Sequence, residues 1–496
     1  MIERVKARWV LDGTDDSHRL IPDGEVLFDG DTILHVGPAS DRPADRTTDC
    51  GRVLIAPGFV DLNALADVDT TILGVGAPRD GRDTAWSRAY AEGARRDVLD
   101  AAERETSVRI VFAQLLASGI TTALPVTSLL FREWAESGDE FCRIAEIGQE
   151  IGLRLCLGPS FRSSVNVVEA DGSFGQYSRD DLGRAGLDEA VAFIRDCRDI
   201  GPLVTGLLVP STIDTCSDDL LHATAAAARD LGVPFRLHCC QSLREAEILW
   251  KRSGRSSIGH LADLGVLGPN ALLPHAVNLG GPEARPDLVA GDIDLLAQSG
   301  AVVVHCPLVI GRGGRRLKSF GAFRARGIAI GLGTDTAPPD MLMNLQMGLA
   351  MGRVDDGDRA SPAALFHAAT IGAADAIGRP DLGRLAAGKR ADIVAWDLSD
   401  PAVQPVFDPL EALFLMPPGR RARHVWVGGA ASVTGFSPVA ALPKDPAGEI
   451  ERIFSKLLHS YGERNWRGLD AAAIFPPSRT PTTPTRNDTQ QQRGTK

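Results

Sequence analysis

The sequence predicts an α/β chain: a (β/α)8 TIM barrel carrying a small composite β-sandwich made from both chain ends. Three observations predict it. Eight short apolar runs alternate with helix-length segments through the middle of the chain. Strand-and-turn patterning occupies both flanks of that region. The polar residues able to do chemistry fall at the ends of the apolar runs, where a barrel gathers its functional side chains.

The eight runs are residues 54–63, 120–126, 153–159, 204–210, 234–240, 271–277, 301–307 and 328–335. Each is nearly continuous in apolar residues, the pattern of parallel strands buried on both faces. Their alternation with helical segments is that of βα units. Residues 218–232 are rich in alanine and leucine and end in Gly232, which reads as a helix with its C-terminal stop.

Residues 2–57 read as short strands, with Asp29-Gly30 between two apolar runs as a hairpin signal. Strands return at DIVAWD (392–397) and HVWVG (424–428). Pairing of the two ends gives a composite domain of residues 1–57 and 383–435 beside a barrel of 58–382. Asp445-Pro446 is a cap followed by a first-turn proline, and Ile450, Ile453, Phe454, Leu457 and Leu458 recur at helical spacing. A helical extension over 436–475 is therefore expected. From 476 to 496 the chain is almost free of apolar residues and reads as a disordered tail.

Composition narrows the partners. A net charge of −11, with no basic patch, disfavours nucleic acid and anionic membranes. No apolar run is long enough to span a bilayer, and Met1 to Asp12 has no signal-type apolar core. The eight cysteines include no CxxC pair, and adjacent Cys239 and Cys240 cannot bridge without severe strain. A cytoplasmic protein with a small-molecule partner is the expectation.

Strand five runs to His238, strands six and seven carry His275 and His305, and strand eight ends in Asp335. Four such groups at equivalent strand ends point to one rim. Imidazole nitrogens with a carboxylate suit zinc, iron or manganese. A metal there would acidify a bound water, and Asp335 could take its proton.

The chain resembles the amidohydrolase superfamily, within it the branch of cytosine deaminases, chlorohydrolases and adenosyl-homocysteine deaminases. The matching segments are APGFVD (56–61), GITT (119–122), GPSFRS (158–163), His305-Cys306-Pro307, LGTD (332–335), LAAGKRAD (385–392) and HVWVGG (424–429). The resemblance implies a barrel with a composite β-sandwich and, by analogy with family members, a homodimer. It further implies a divalent metal held by an HxH pair after strand one, a strand-five histidine and a strand-eight aspartate, with a glutamate shuttling protons. By position, His238, His275 and Asp335 are retained as metal or catalytic residues. Arg162, Ser163, Trp86 and His305 fall where substrate contacts are implied, and Arg79 and Asp83 lie in the same rim loop as Trp86.

The chain departs from that pattern in two places. Asn63-Ala64-Leu65 stands where HxH is expected: Asn63 offers only an amide oxygen and Leu65 nothing. Gln241 stands in place of the acid and cannot move protons near neutral pH. Three readings follow. The first is a hydrolase of a C–N or C–Cl bond in a small heterocycle, working through a reduced mononuclear site. The second is a catalytically silent homologue that binds a small molecule or partner subunit, with no metal. The third is metal-independent chemistry at the same rim, by Asp335 with a histidine or by a Cys239 or Cys240 thiolate.

Overall fold

The computed structural model describes residues 1–13, 16–76, 81–357 and 360–479. Arg79 and tail residues 480–496 lie outside the described residues.

Eight parallel strands form the centre. They comprise two four-stranded arcs, Phe59–Leu65, Ile120–Val126, Arg154–Leu157 and Val204–Gly206 in one, and Phe235–Arg236, Ala271–Pro274, Val302–His305 and Ile330–Leu332 in the other. Helices such as Ala101–Ala117, Gly138–Ile151 and Asp218–Leu231 lie between successive strands. The last of these starts at the Ser217 cap and stops at Gly232, whose φ of 64° is the left-handed turn expected there.

The expected closed ring is not one unbroken ladder. Between strands four and five the pairing shrinks to isolated bridges, Leu208 with Phe235 and, at the rim, Thr212 with His238. Pro210 and Pro234 flank that joint and have no N–H to extend it. Between strands eight and one no ladder forms, because the chain leaves the strand after Leu332; the Asp335 amide still donates to the Asn63 carbonyl at 2.8 Å. The run expected over 54–63 also divides. Val53–Pro57 pairs with the terminal sheet, and the barrel strand begins at Phe59. Gly58 makes the break possible: a Cβ there would lie 2.0 Å from the Thr121 hydroxyl.

Strands from both chain ends join one nine-stranded sheet. Ile2–Gly13 pairs with His18–Asp29, which turns at Gly30 into Thr32–Pro38. Ile393–Asp397 pairs antiparallel with both Val53–Pro57 and His424–Val427. Arg46–Asp49 branches off the main strand path, pairing with the first half of Ile2–Gly13, while Val53–Pro57 pairs with its second half. Val5, Val26, Phe28, Ile55, Ile393 and Trp426 form its core. The helix Pro446–Arg464 is capped by Asp445 and buries Ile453, Leu457 and Tyr461. No helix among the described residues is long and apolar enough to cross a membrane.

One buried ion pair joins the strands to the terminal sheet. Arg154 on strand three makes two bonds to Asp392, at 3.0 and 2.9 Å, and the Gly428 amide donates to the same carboxylate at 2.7 Å. Removing one partner leaves the other charge buried. Asp392→Ala should therefore lower unfolding free energy by about 3–5 kcal/mol, measured by denaturant titration. The double change Asp392→Ala/Arg154→Met should cost less than the single one.

Candidate metal centre at the carboxyl rim

His238, His275 and Asp335 come together at the carboxyl ends of strands five, six and eight, with one ligand atom of each lying within 4.8 Å of the others. Strand alternation sets this. Phe235, Leu237 and Cys239 face the outer hydrophobic core, so Arg236 and His238 point the other way, into the space between the strands. At the rim the backbone then twists. Cys240, His275, Ala276 and Asp335 all have positive φ, between 46° and 79°, four of the seven non-glycine residues with this conformation. Each costs on the order of 1 kcal/mol, and such strain concentrates where function demands a side-chain direction. Hydrogen bonds hold it: His275 N–H to the Val304 carbonyl at 2.9 Å, Ala276 N–H to Cys239 at 3.2 Å, and Asp335 N–H to Asn63 at 2.8 Å.

Each neutral imidazole keeps one unprotonated nitrogen. His238 Nδ1 lies 3.0 Å from the Ser211 carbonyl, so Nδ1 carries the proton and Nε2 is bare. His275 is fully buried, and neither of its ring nitrogens has a hydrogen-bond partner. Its Nε2 lies 3.4 Å from Asp335 Oδ2. Burial, with the charge of Arg236, lowers His238 to about 4, and burial holds His275 well below its ordinary value. Both imidazoles are thus neutral, the form that ligates. Burial, reinforced by Asp69, raises Asp335 to about 8, against the opposing pull of Arg236. A carboxylate pushed up in this way is relieved by a cation beside it.

The degenerate positions behave differently from each other. Asn63 is fully buried beside this group, with Nδ2 3.4 Å from His238 Nε2 and 3.8 Å from Cys306 Sγ, and its Oδ1 has no partner. Leu65 instead packs with Leu124 and Val126 in the inner core. The donor set of two imidazoles, a carboxylate and an orphaned amide oxygen fits one divalent transition metal.

His305 does not join the trio. Val302, Val304 and Cys306 face the inner core while Val303 faces the outer one, so His305 follows Val303 outward. Its ring lies 5.8 Å from that of Phe320, and burial lowers it to about 3. Arg162 donates to the carbonyls of Trp134 and Leu129 and stacks between the Trp86 and Trp134 rings. The Ser163 hydroxyl accepts from the Ser217 amide at 2.8 Å. Trp86 is buried with its indole N–H on the Leu130 carbonyl. Asp83 pairs with Arg467 of the C-terminal extension. Gly311 and Arg312 end the short helix Pro307–Arg312. The Cys239 and Cys240 thiols lie 3.7 Å apart, fully buried and raised, which removes thiolate character.

Gln241 is half-buried, and its backbone is fastened from both sides: its amide donates to Glu245 and its carbonyl accepts from Arg315. Glu245 does not substitute for the lost acid. Its carboxylate is taken up by the Cys240 and Gln241 amides, at 2.6 and 2.8 Å, and by the Ser257 hydroxyl at 2.8 Å. Sequence reading passed over four charged groups near the rim. Arg236 was within reach of it, since it sits two residues before His238 on the same strand face. Asp61, bonded to Thr334, and Asp69, the cap of the turn Thr70–Val75, carry no such sequence mark, and neither does Glu245. A cavity of about 750 Å³ opens among His18, Val302, Ile330 and His367 at the amino ends of strands seven and eight, away from this rim. Barrel chemistry belongs to the carboxyl face, so the cavity's size does not locate the site.

The amidohydrolase family model matches residues 76–431. The chain belongs to the amidohydrolase family. A 5-methylthioadenosine/S-adenosylhomocysteine deaminase of Halobacterium salinarum is 29% identical over 419 residues, covering 82% of this chain and 88% of its own. An 8-oxoguanine deaminase of Pseudomonas aeruginosa is 27% identical over 434 residues, covering 86% and 91%. Among solved structures, a zinc-bound adenosine deaminase from Xanthomonas campestris superposes with TM-score 0.74 at 20% identity, over 92% of this chain and 98% of that one. An atrazine chlorohydrolase from Arthrobacter aurescens complexed with zinc gives 0.71 at 22%, over 96% and 100%. At these identities the structures establish a shared fold, the TIM barrel of amidohydrolases.

Burial, reinforced by Asp214, raises Glu245 to about 8. The folded protein then holds this proton more tightly than the unfolded chain, so the stability it brings is present in acid and fades as pH rises toward 8. Each tenfold gain in proton affinity on folding is worth about 1.4 kcal/mol, so the contribution is a few kcal/mol. The Tm of Glu245→Gln relative to the wild type should therefore improve from about pH 5 to pH 8 in thermal scans. A difference independent of pH would contradict it.

Proposed function

We propose that the chain is a hydrolase that replaces an amino group, or a chloride, on a small heterocycle, using a mononuclear site held by His238, His275 and Asp335. One observation carries this reading: ligand atoms of His238, His275 and Asp335 lie within 4.8 Å of one another, and both His275 nitrogens lack a partner, although half of the family's usual ligand set is missing. The relatives' names, deaminases of purine compounds, support the C–N bond over C–Cl. The reading includes a ring closed through the joints at Leu208 and Asn63, a composite domain from the chain ends, and a cytoplasmic setting.

A divalent cation in this site, zinc, iron or manganese, would supply Lewis acidity that makes water a nucleophile near neutral pH. The chain's own residues do the rest. Ionised Asp335 accepts the proton of the attacking water at a carboxylate oxygen. His238 keeps its orientation through Nδ1–H on Ser211. Gln241 can donate or accept a hydrogen bond to a ring nitrogen, but it cannot carry the proton onward to the leaving group. Proton delivery thus falls to Asp335 itself, and turnover slower than in relatives with an acid at this position is expected.

A second reading rests on Arg236. This fully buried guanidinium donates to the Leu62 and Leu124 carbonyls, and its Nε and Nη2 have no partner. A fixed cation below Asp335 eases ionisation of the carboxylate without metal, against the burial that raises it.

Elemental analysis of purified protein decides between them. Near-stoichiometric zinc, iron or manganese, lost in Asp335→Ala, is expected. Metal far below stoichiometry after supplementation, with hydrolysis of aminated heterocycles that resists chelators and fails in Arg236→Met, would establish the second reading. In a parallel screen, activity confined to Asn63→His/Leu65→His would mean that the wild-type site is silent.

A further inference from the structure

We propose that Asn63 is itself a metal ligand through Oδ1, and that its side-chain amide turns over when a cation enters, so that one residue both guards and completes the site. The inference rests on the metal reading of His238, His275 and Asp335, and deepens it.

The two ends of one amide are unequally satisfied. Asn63 Nδ2 lies 3.4 Å from His238 Nε2 and 3.8 Å from Cys306 Sγ, and the Asp335 carboxylate also accepts from this side chain. Its Oδ1, equally buried in a residue with no exposed surface, has no partner. An unpaired buried carbonyl oxygen is costly, and the nitrogen's contacts to His238 and Cys306 are long for hydrogen bonds. A half-turn about χ2 exchanges the two ends at little steric cost. It is disfavoured by His238: with Nδ1–H committed to the Ser211 carbonyl, Nε2 is a bare lone pair, and a carbonyl oxygen turned toward it would set two lone pairs face to face. Only a cation between them reverses that sign. The same amide therefore donates to His238 as it stands and becomes an oxygen donor beside His238 when positive charge is present.

The backbone holds Asn63 in the required place. Its amide donates to Asp61 at 3.1 Å, and its carbonyl accepts from the Asp335 amide at 2.8 Å, so it is fixed to the strand-eight ligand directly. Gly333 allows that approach, because a Cβ there would fall 2.6 Å from the Asn63 Cβ. The pairing of strand one with strand two slips between Asp61 and Ala64, and Asn63 lies within that slip. Leu65, packed among Leu124 and Val126, has no such role.

The test uses the full chain and cobalt(II), read by its visible absorption and by competition with a chelating dye. Asn63→Leu should weaken cobalt binding by at least about ten- to a hundredfold, the range typical when ligand-supporting groups are lost. It should also alter the absorption envelope through the change in coordination. Asn63→Asp, which keeps an oxygen at this position and adds charge, should bind at least as tightly as wild type. Leu65→Ala should leave the spectrum unchanged. Circular dichroism monitors folding, and Asn63→Ala replaces Asn63→Leu if the latter does not fold. If wild type binds cobalt and Asn63→Leu matches it in affinity and spectrum, Asn63 is not a ligand although the trio still is. If wild type takes up no cobalt, the metal reading fails and this inference fails with it.

Discussion

The hydrogen bond from the Asp335 amide to the Asn63 carbonyl ties the eighth parallel strand to the first and sets the side chains at their ends. Strand eight leaves its ladder after Leu332, so this contact substitutes for regular pairing at the joint. It also holds Asp335 at a φ of 46°, which an aspartate would not keep without support. The carboxylate is thereby aimed toward His275 rather than along the strand. Gly333 and the Asp61 carboxylate, bonded to both Asn63 and Thr334, complete the same junction. Fold and site meet in these few residues.

The electrostatics of the rim follow from burying charge there. Asp335, Asp61 and Asp69 are all raised mainly by burial, and Arg236 is the cation that opposes this for Asp335 and Asp61. Neutral histidines add lone pairs without adding charge. A cluster of this composition is left unsatisfied by its own side chains: both His275 nitrogens, Asn63 Oδ1 and two Arg236 nitrogens lack partners. A native interior rarely tolerates that many orphaned polar atoms in one place unless something binds there. At the two positions where the resemblance implies HxH, Asn63 keeps the rim polar while Leu65 has joined the apolar core.

Most of the fold was legible in the sequence because strands buried on both faces leave continuous apolar runs, and all eight runs contain a strand. The division at Gly58 was not read from the sequence, since apolar residues continue on both sides of Pro57-Gly58 and the close approach of Thr121 shows only in the structure. The interrupted ring was not either, since it depends on which strands meet at the joint flanked by Pro210 and Pro234. In the site, strand-end position found His238, His275 and Asp335. It also admitted His305, which strand alternation turns outward with Val303. The same alternation, applied to strand five, would have found Arg236. Left-handed backbone at His275 and Asp335 leaves no trace in residue type, because glycine is absent from both positions. Trp86 and Arg162 belong to an aromatic cluster with Trp134, an arrangement that no spacing in the sequence reveals.

The central claim is that this rim still holds one metal with half the family's ligands. Anomalous diffraction from crystals of the full chain grown with zinc tests it most directly. A single peak is expected at about 2.0–2.2 Å from His238 Nε2 and a carboxylate oxygen of Asp335, within reach of His275. A peak confined to the buried Cys239, Cys240 and Glu245 group, or no peak at saturating zinc, would contradict it.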